Sequence, residues 1–422
     1  MNQQLVTTIV KSPAPQTMHF PFLAGLSLKP RTVMFVLAIC MGLQVTSYVL
    51  IMPLFSRRLA ALGAGVEVLS LSDLAFALTA TLAAPIMGAL ADRFGRRPLV
   101  LGSLAVYVGA FTGYLLAPSA AIFIALRAFA GAFTAGLSPA IFGIIADLAP
   151  GDRRAQWISI VSGGSAFGWI AGPLLGGLLY DRWGYEVPFM LSIALAALTL
   201  LAAFLTIYET RPADPSRPSL RLKNLLPAPG AMRSALPSSL LTFSILLADS
   251  FGVMFAWAFI EPQAMFYVYD GLGWTSSQLG LAMSIYGVAL MAGEFSLGGA
   301  SDRFGRKPVL VLGLALFTAQ FAGLFFFKDY LLITLSFALA GLGNALFDPA
   351  LSAYILDITP QQHKSTIMGI KSTAGSLGNV LGPALLILFA PLLQPQGVFM
   401  IATVSVILLT AVCACFLKKF KK

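Results

Sequence analysis

The sequence predicts an all-α integral membrane protein whose twelve transmembrane helices form two six-helix, pseudo-symmetric halves. Its 422 residues are 58% hydrophobic and only 10% charged, which leaves too few polar side chains to cover a water-soluble globule. The apolar residues occur in runs of about 20, the length that a helix needs to cross about 30 Å of hydrocarbon. Landmark residues also recur at a constant offset of 210 positions.

Charged residues and Pro/Gly breaks separate the predicted spans. The first half contains spans near 31–55, 70–91, 98–117, 119–148, 154–181 and 187–208. The second half contains spans near 238–268, 276–300, 308–327, 329–357, 364–390 and 396–417. The predicted organisation is a cytosolic N-terminal segment (1–30), the two halves (31–208 and 238–417), a cationic, proline-rich cytosolic linker (209–237) and a basic cytosolic tail (418–422).

The placement of Lys and Arg predicts the orientation in the membrane. Most of the 27 cationic residues lie in the linker, the termini and the loops on the same side, and cationic loops remain in the cytosol. We therefore expect a multi-pass protein of a bacterial-type inner membrane with both termini cytosolic, and no secretory signal in residues 1–30. The net charge of +10 follows from this rule, so no nucleic-acid partner is expected. Arg57 and Arg58 form a pair that is discordant with this rule, because their predicted position is on the opposite side of the membrane from the other cationic loops.

The constant offset shows that the two halves are an internal repeat. The matching pairs include Asp92 and Asp302, Asp147 and Asp357, Gly131 and Gly341, and Pro139 and Pro349. Two repeated six-helix halves are the architecture of transporters that rock around a solute held near the middle of the membrane. We expect such a protein to work as a monomer.

Two loops at repeated positions carry the same charged pattern. They read Gly88-Ala-Leu-Ala-Asp92-Arg93-Phe-Gly95-Arg96-Arg97-Pro98 and Gly298-Gly-Ala-Ser-Asp302-Arg303-Phe-Gly305-Arg306-Lys307-Pro308. The first resembles the signature loop of the major facilitator superfamily, G-x-L-A-D-[RK]-x-G-[RK]-[RK]. The glycines at the start of each loop are expected to allow close helix approach, and the central glycines a tight turn. The resemblance implies a latch, completed by Asp147 and Arg153, that is made facing outward and broken facing inward.

The fifth span carries a second motif of small residues. Gly168, Gly172, Pro173, Gly176 and Gly177 are spaced as in the family's G-x-x-x-G-P-x-x-G-G motif, which is associated with proton-coupled exporters. Glycines four residues apart form a groove for a neighbouring helix, and an internal proline bends the span. Ordinary small-residue packing is the alternative interpretation.

The fourth span contains an arginine inside the membrane. The run from Arg127 through Gly131 and Ala135 to Pro139 resembles the family's R-x-x-x-G-x-x-x-A-x-x-x-P motif. A buried arginine is costly unless it is paired or hydrated, so it must face the bundle interior or a cavity. The repeat position holds Phe337, so the fold alone does not require the charge. We expect Arg127 to serve proton coupling, with a structural ion pair as the alternative.

A proton carrier requires a carboxyl group inside the membrane that loads and releases a proton near neutral pH. Asp249, deep in the seventh span, is the first candidate, and Glu261 or Glu294 could serve instead. Asp348 could pair with an intramembrane base or bind a cationic solute, and Asp73 is expected close to the outer surface. For each acid a local structural role is the alternative.

Polar and aromatic residues on the spans expected to line the cavity suit an amphipathic solute. The candidate substrate-binding residues are Tyr48, Gln44, Trp257, Asp348, Phe255 and Tyr286. Aromatic residues also fill the cores of helix bundles, which is the alternative for this set.

The whole pattern most resembles the twelve-helix drug:proton antiporters, including tetracycline exporters. The resemblance implies efflux of an amphipathic small molecule in exchange for protons, with the proton gradient as the energy source, no cofactor and no enzymatic activity. Proton-coupled or facilitated uptake of a metabolite is one alternative, and a membrane receptor or enzyme is another. Cys40, Cys413 and Cys415 have neither CxxC spacing nor nearby histidines, so no metal site is expected.

Overall fold

The structure, a computed structural model, describes residues 29–150, 153–210, 236–237 and 239–417. Residues 1–28 of the predicted N-terminal segment, the basic tail and most of the predicted linker therefore lie outside the described residues, as do the side chains of residues 92, 155, 361 and 365. Twelve helices in the described ranges are long and apolar enough to cross a membrane, as the sequence predicted. The described chain contains helices and no strands.

The spans keep the predicted order, and we number them from 1 to 12. Spans 1–6 are Pro30–Ala61, Val66–Ala91, Arg96–Leu116, Ala120–Leu148, Gln156–Trp183 and Glu186–Thr206. Spans 7–12 are Leu240–Gly271, Ser276–Leu297, Arg306–Phe326, Tyr330–Asp357, Thr366–Phe389 and Pro395–Phe416. Span 4 is broken between the helices Ala120–Thr134 and Leu137–Leu148, and span 9 between Arg306–Phe317 and Ala319–Phe326. We call the side that carries the linker the linker face and the opposite side the far face.

Polar side chains fix the helix starts on the far face. Ser119 accepts a hydrogen bond from the backbone N–H of the third residue after it and begins span 4, and Asp329 does the same for span 10. At span 8, Thr275 and Gln278 form a reciprocal capping box. These caps satisfy backbone N–H groups that the helix itself leaves without a partner.

Span 1 is longer than predicted, and the extension explains the discordant arginine pair. After a 3-10 turn at Met52–Leu54, a short helix Phe55–Ala61 carries Arg57 and Arg58 onto the far face. The Arg58 guanidinium donates hydrogen bonds to the carbonyls of Tyr114, Leu115 and Ala117 at the end of span 3. The charge of Arg58 is thus used to close a helix end, which explains its departure from the positive-inside pattern.

Each half is held together by close approach at glycines. A Cβ on Gly168 would lie 2.7 Å from the backbone nitrogen of Thr46, and one on Gly172 would lie 3.1 Å from that of Leu50, so span 5 packs against the backbone of span 1. In the repeat, a Cβ on Gly382 would lie 2.7 Å from the backbone nitrogen of Phe259, so span 11 packs against span 7 in the same way. Small residues permit this contact, which gives helices in lipid much of their association energy.

The two halves meet at the far face through hydrogen bonds from span 5 to span 8. The Asp181 carboxylate, near the end of span 5, accepts the backbone N–H groups of Ser276 and Ser277 at 3.0 and 2.7 Å. Deeper in the same pair of spans, the Ser284 hydroxyl donates to the carbonyl of Ile170 at 2.5 Å. A carboxylate at a helix N-terminus is stabilised by the free N–H groups and the helix dipole.

Arg57 makes a second connection between the halves at the far face. Its guanidinium lies 3.9 Å from the centre of the Tyr269 ring, donates to the carbonyl of Trp274 at 3.4 Å and approaches Asp270 at 3.9 Å. The Tyr269 hydroxyl in turn donates to the carbonyl of Pro53 in span 1. The ends of spans 1 and 7 are therefore held together on this side.

Towards the linker face the same helices separate. At the linker-face end of span 8 and just beyond it, residues 294–299 are all exposed, with Phe295 at 86%, whereas Ser276, Leu279 and Gly280 near the far-face end of the span are buried. A Cβ on Gly88, expected to allow close helix approach, would have no neighbour within 4 Å, because the helix ends are apart on this side. The structure is therefore closed at the far face and open towards the linker face.

Replacing Gly176 by alanine is expected to destabilise the first half. The added Cβ would collide with the backbone carbonyl of Leu50 in span 1, so the free energy of unfolding should fall by about 1–3 kcal/mol. Gly163→Ala in the same helix is the matched control, since a Cβ there meets nothing within 4 Å. Thermal unfolding followed by circular dichroism measures both, and equal melting temperatures would contradict the packing.

Removing the Asp181 carboxylate is expected to open the far face. Asp181→Ala should raise the ratio of far-face-open to far-face-closed molecules about tenfold, the factor that corresponds to about 1.4 kcal/mol. Spin labels at Ala61→Cys and Lys328→Cys, one in each half, report the far-face distance in a background with exposed Cys415 replaced by serine. Glu186→Ala, an exposed acid on the same face, should leave the distance distribution unchanged. An unchanged distribution in Asp181→Ala would show that this contact does not hold the halves.

Candidate functional site

A cavity of about 770 Å³ lies between the two halves and is lined by residues from both. Its wall is largely aromatic and thioether in character. The aromatic residues are Tyr48, Phe55, Phe76, Trp169, Trp257, Tyr286, Phe317 and Phe337. The methionines are Met52, Met254, Met265 and Met283. Methionine side chains are flexible and polarizable, so this wall can adapt to solutes of different shape.

An ion pair between spans 2 and 4 forms the charged centre of the cavity. The Arg127 guanidinium, only 3% exposed, donates to an Asp73 carboxylate oxygen at 2.7 Å. Each residue lies seven positions from the far-face start of its span, which places both about 10 Å below that face at helical rise. Asp73, which the sequence placed close to the outer surface, therefore lies within the membrane and against the arginine.

Aromatic rings enclose the same guanidinium. Arg127 lies 4.4 Å from the centre of the Phe76 ring and 5.1 Å from that of Phe55. It also donates to the Tyr48 hydroxyl at 3.4 Å, and the Tyr48 ring stacks on Phe76. Cation–π contacts are stronger where water is excluded, so the rings stabilise the charge that the bilayer would otherwise penalise.

Glu261 approaches this pair from the opposite half. It lines the cavity on span 7 and lies close enough to Asp73 and Arg127 to interact with both electrostatically. The Trp257 indole, one turn earlier on the same span, lies close to its carboxylate and also lines the cavity. Among the described residues Glu261 has no ion-pair partner of its own. One cation thus faces two carboxyl groups, one from each half.

Asp249, the first candidate for the proton carrier, is placed elsewhere. It is 0% exposed and does not line the cavity. One carboxylate oxygen accepts a hydrogen bond from the Cys413 thiol at 2.8 Å, and the other has no hydrogen-bond partner within the described chain. The position of Asp249 along span 7 places it near the middle of the membrane, but its side chain faces span 12 and not the space between the halves.

Glu294 and Asp348 lie towards the linker face, apart from the arginine. Asp348 accepts a hydrogen bond from the Lys371 ammonium at 2.6 Å, and Lys371 also donates to Ser352 at 2.7 Å. Glu294 is within electrostatic range of Asp348. Neither acid lines the cavity, and Asp348 has the intramembrane base that the sequence suggested as one possible partner.

The candidate substrate-binding residues divide into two groups. Tyr48, Trp257 and Tyr286 line the cavity. Gln44 is buried outside the cavity lining, and Phe255 stacks between Phe251 and Phe259 along span 7. Asp348, as described above, lies outside the cavity lining, so the structure assembles only half of the predicted set at one surface.

The repeated loops form matching ion pairs at the linker face. Arg96 donates to Asp147 at 2.8 Å in the first half, and Arg306 donates to Asp357 at 2.9 Å at the equivalent position of the second half. Arg306 also pairs with Asp302 at 2.9 Å. The turns pass through Gly95 and Gly305, whose φ angles of 100° and 92° favour glycine.

The other residues predicted to form the latch have different surroundings from one another. The Asp92 side chain lies outside the described part of the structure, so its predicted role stays a prediction. The Arg93 guanidinium lies over the Phe94 ring, and the Arg97 side chain donates to the carbonyl of Phe204. Arg303 lies in the last turn of the short helix Ala300–Phe304, and Arg153 immediately precedes the helix Arg154–Trp183, which contains span 5.

Several residues of the cavity were not predicted from the sequence. Asp73 was named but assigned to the surface, although its distance from the start of span 2 equals that of Arg127 from the start of span 4. Asn344, Asn379 and Ser376 also line the cavity and were not singled out. The two asparagines could have been found from the sequence, because an amide side chain within a long apolar run is uncommon and marks a polar site.

Twelve spans in two repeated halves, closed at one face around a polar and aromatic cavity, define a membrane transporter that works by alternating access. A sequence profile described as Major Facilitator Superfamily matches residues 34–269 and 242–421. The chain belongs to that superfamily.

Relatives of known name support the same assignment. The chain is 28% identical to a class C tetracycline resistance protein from Escherichia coli over 316 residues, which is 73% of this chain and 76% of the relative. It is 27% identical to a homologue of the multi-drug resistance efflux pump PmrA from Lactococcus lactis, covering 79% of this chain and 81% of the relative. These relatives favour neither an importer of metabolites nor a receptor or enzyme.

Solved structures share the fold at lower identity. The human organic anion transporter MFSD10 superposes with a TM-score of 0.67 at 22% identity, covering 91% of this chain and 99% of that one. A bacterial homologue of the human lysosomal transporter Spinster, in an inward-facing and unoccupied conformation, superposes with a TM-score of 0.71 at 17% identity, covering 92% and 97%.

Removing the charge of Arg127 alone is expected to destabilise the folded protein more than removing the charges of both Arg127 and Asp73. Arg127→Leu leaves Asp73 in the membrane without its cation, so the free energy of unfolding should fall by about 3 kcal/mol or more. The double variant Asp73→Asn/Arg127→Leu should recover a large part of that loss. Chemical unfolding in detergent micelles compares the two, and strictly additive effects would show that the residues do not depend on each other.

Proposed function

We propose that this protein exports amphipathic small molecules across a bacterial-type inner membrane in exchange for protons. The observation that carries the proposal is the arginine with two carboxyl groups, Asp73 and Glu261, at the closed end of a cavity that opens towards the linker face. Such a cluster can exchange protons on the side to which the cavity opens, while the aromatic and methionine wall holds the solute.

The direction of transport is supported by the motif in span 5 and by the printed names of the relatives. Gly168 and Gly172 pack against span 1, and a Cβ on Gly177 would collide with the backbone of Ser276 across the boundary between the halves. The motif thus lies where the far face closes. One relative is an efflux pump by name and the other is a tetracycline resistance protein by name, and tetracycline-like or other amphipathic drugs are the substrates that we propose for this chain.

Proton coupling is proposed to depend on the unequal surroundings of the two carboxyl groups. Asp73 is held by Arg127 at 2.7 Å, so its negative charge is balanced in this state. Glu261 belongs to the other half and, among the described residues, has no ion-pair partner, with the Trp257 indole close to its carboxylate. Protonating Glu261 removes its attraction to Arg127 across the cavity, and an interaction that differs between two conformations shifts their populations.

The transport cycle follows from the position of this cluster. When the cavity opens to the far face, Glu261 takes up a proton from outside and the solute leaves. When it opens to the linker face, as in this structure, the proton is released and solute enters from that side. We place the linker face and both termini in the cytosol, because the cationic loops lie there. The protein is proposed to act as a monomer with the proton gradient as its energy source and without a cofactor.

The experiment uses the purified protein in liposomes that contain a pH-sensitive dye, with tetracycline added as substrate. Wild-type protein should move protons only when the drug is present. Glu261→Gln should abolish drug-dependent proton movement, because the amide cannot carry a proton. Asp249→Asn, a buried acid outside the cavity, should keep at least half of the wild-type rate.

If Asp249 and not Glu261 carried the proton, the two variants would give the opposite results. Loss of proton movement in Asp249→Asn with normal movement in Glu261→Gln would return the role to Asp249. Proton movement that does not respond to tetracycline or to other lipophilic drugs would contradict the proposed export. Circular dichroism of each variant shows whether the loss reflects misfolding.

A further inference from the structure

The second half supplies the cavity with uncharged polar groups that the proposed proton chemistry does not use. Tyr286 of span 8, Asn344 of span 10, and Ser376 and Asn379 of span 11 line the wall. The Asn344 carboxamide donates to the Tyr286 hydroxyl at 2.9 Å. Within the described chain, the side chains of Ser376 and Asn379 have no hydrogen-bond partner. All four side chains are partly accessible, so their remaining donors and acceptors are open to a ligand.

The internal repeat shows that these groups are specific to one half. At the offset of 210 positions, Tyr286 corresponds to Phe76 and Asn379 corresponds to Trp169. Ser376 corresponds to an alanine, and only Asn344, opposite Thr134, has a polar counterpart. The fold therefore accepts aromatic or small apolar residues at three of these four positions, and helix packing alone does not require the polar groups.

The charged residues show the reverse asymmetry. Asp73 corresponds to Met283 and Arg127 corresponds to Phe337, so the second half is apolar where the first half carries its ion pair. The two walls of the cavity thus differ in chemistry: the first carries the ion pair beside Tyr48 and Thr81, and the second carries the four neutral hydrogen-bonding groups. Only Glu261 adds a carboxyl group to the second wall.

The two polar regions also differ in depth. The ion pair lies about 10 Å below the far face, whereas Tyr286, ten residues into span 8, lies about 15 Å below it and Asn344, fourteen residues into span 10, about 21 Å below it at helical rise. A solute that enters from the open linker face meets the neutral groups before it reaches the charged ones. The hydrogen-bonding wall lies near the middle of the membrane.

We infer that Asn344, positioned by Tyr286, forms with Asn379 and Ser376 a neutral recognition subsite for an uncharged amide or hydroxyl group of the transported solute. A carboxamide offers both a donor and an acceptor, which matches amide and hydroxyl groups and gives no preference for charge. This inference rests on the proposed function, and it assigns solute selection to the second half and proton coupling chiefly to the first. Solutes that lack hydrogen-bonding groups do not use the subsite.

The test measures equilibrium binding of two probes to the full-length protein in lipid nanodiscs. Chloramphenicol is uncharged and carries an amide and hydroxyl groups, and tetraphenylphosphonium is a lipophilic cation with no hydrogen-bonding group. Asn344→Leu keeps the side-chain size and removes the amide, so it should weaken chloramphenicol binding about three- to tenfold. Binding of tetraphenylphosphonium should change less than about twofold.

A matched control removes an amide elsewhere in the same half. Gln320→Leu replaces a buried amide of span 9 that does not line the cavity, and it should leave the affinity for both probes unchanged. Tyr286→Phe removes only the hydroxyl that positions Asn344, so it should weaken chloramphenicol binding by a smaller factor than Asn344→Leu. Thermal unfolding of each variant shows that it is folded.

The outcomes separate this inference from the proposed function. If Asn344→Leu lost affinity for both probes equally, or lost none for chloramphenicol, the proposed subsite would be overturned while the proposed drug export would stand. Wild-type protein that binds tetraphenylphosphonium but not chloramphenicol would also overturn the subsite alone. Wild-type protein that binds neither probe would contradict the proposed function itself and the subsite with it.

Discussion

Helices within a bilayer gain little by hiding apolar side chains from one another, because lipid is equally apolar, and this constraint governs the structure. Association depends instead on close backbone contact. The contacts of Gly168 and Gly172 with span 1, and of Gly382 with span 7, provide it at equivalent places in the two halves. Each half is therefore a closely packed unit. The halves are joined at the far face through Asp181 and Arg57 and are separate towards the linker face, so they can move against each other.

The same bilayer makes the charge on Arg127 costly inside the membrane. The surrounding structure supplies a carboxylate, two aromatic rings and a phenol for that one guanidinium. These groups come from spans 1 and 2 and the arginine itself from span 4, all in the first half, whereas Glu261 comes from the second. In the proposed cycle, an ion pair built within one half remains intact when the halves move, whereas its interaction with Glu261 changes. Coupling between protonation and movement requires this difference.

The sequence predicted the fold almost completely and the site only in part. Span length, the repeat offset and the charged loops depend on local pattern, so twelve spans in two halves followed directly from them. The position of a residue along a span was also accessible, but the direction in which its side chain points was not. Asp249 and Asp348 therefore lie away from the cavity despite favourable depths, and Asp73 lies within it. Helix rotation depends on packing with distant spans, such as span 7 on span 11, that no local pattern encodes.

The unlike walls of the cavity have an evolutionary consequence. A duplicated half starts with two copies of every wall position, and either copy can mutate while the other retains the original side chain. Arg127 and Phe337 are such a pair, as are Asn379 and Trp169. If the second half selects the solute, as we propose, new solute preferences arise by substitutions there without disturbing the ion pair in the first half. Under the proposed mechanism, a lineage with this architecture diversifies its cargo while inheriting a single energy source.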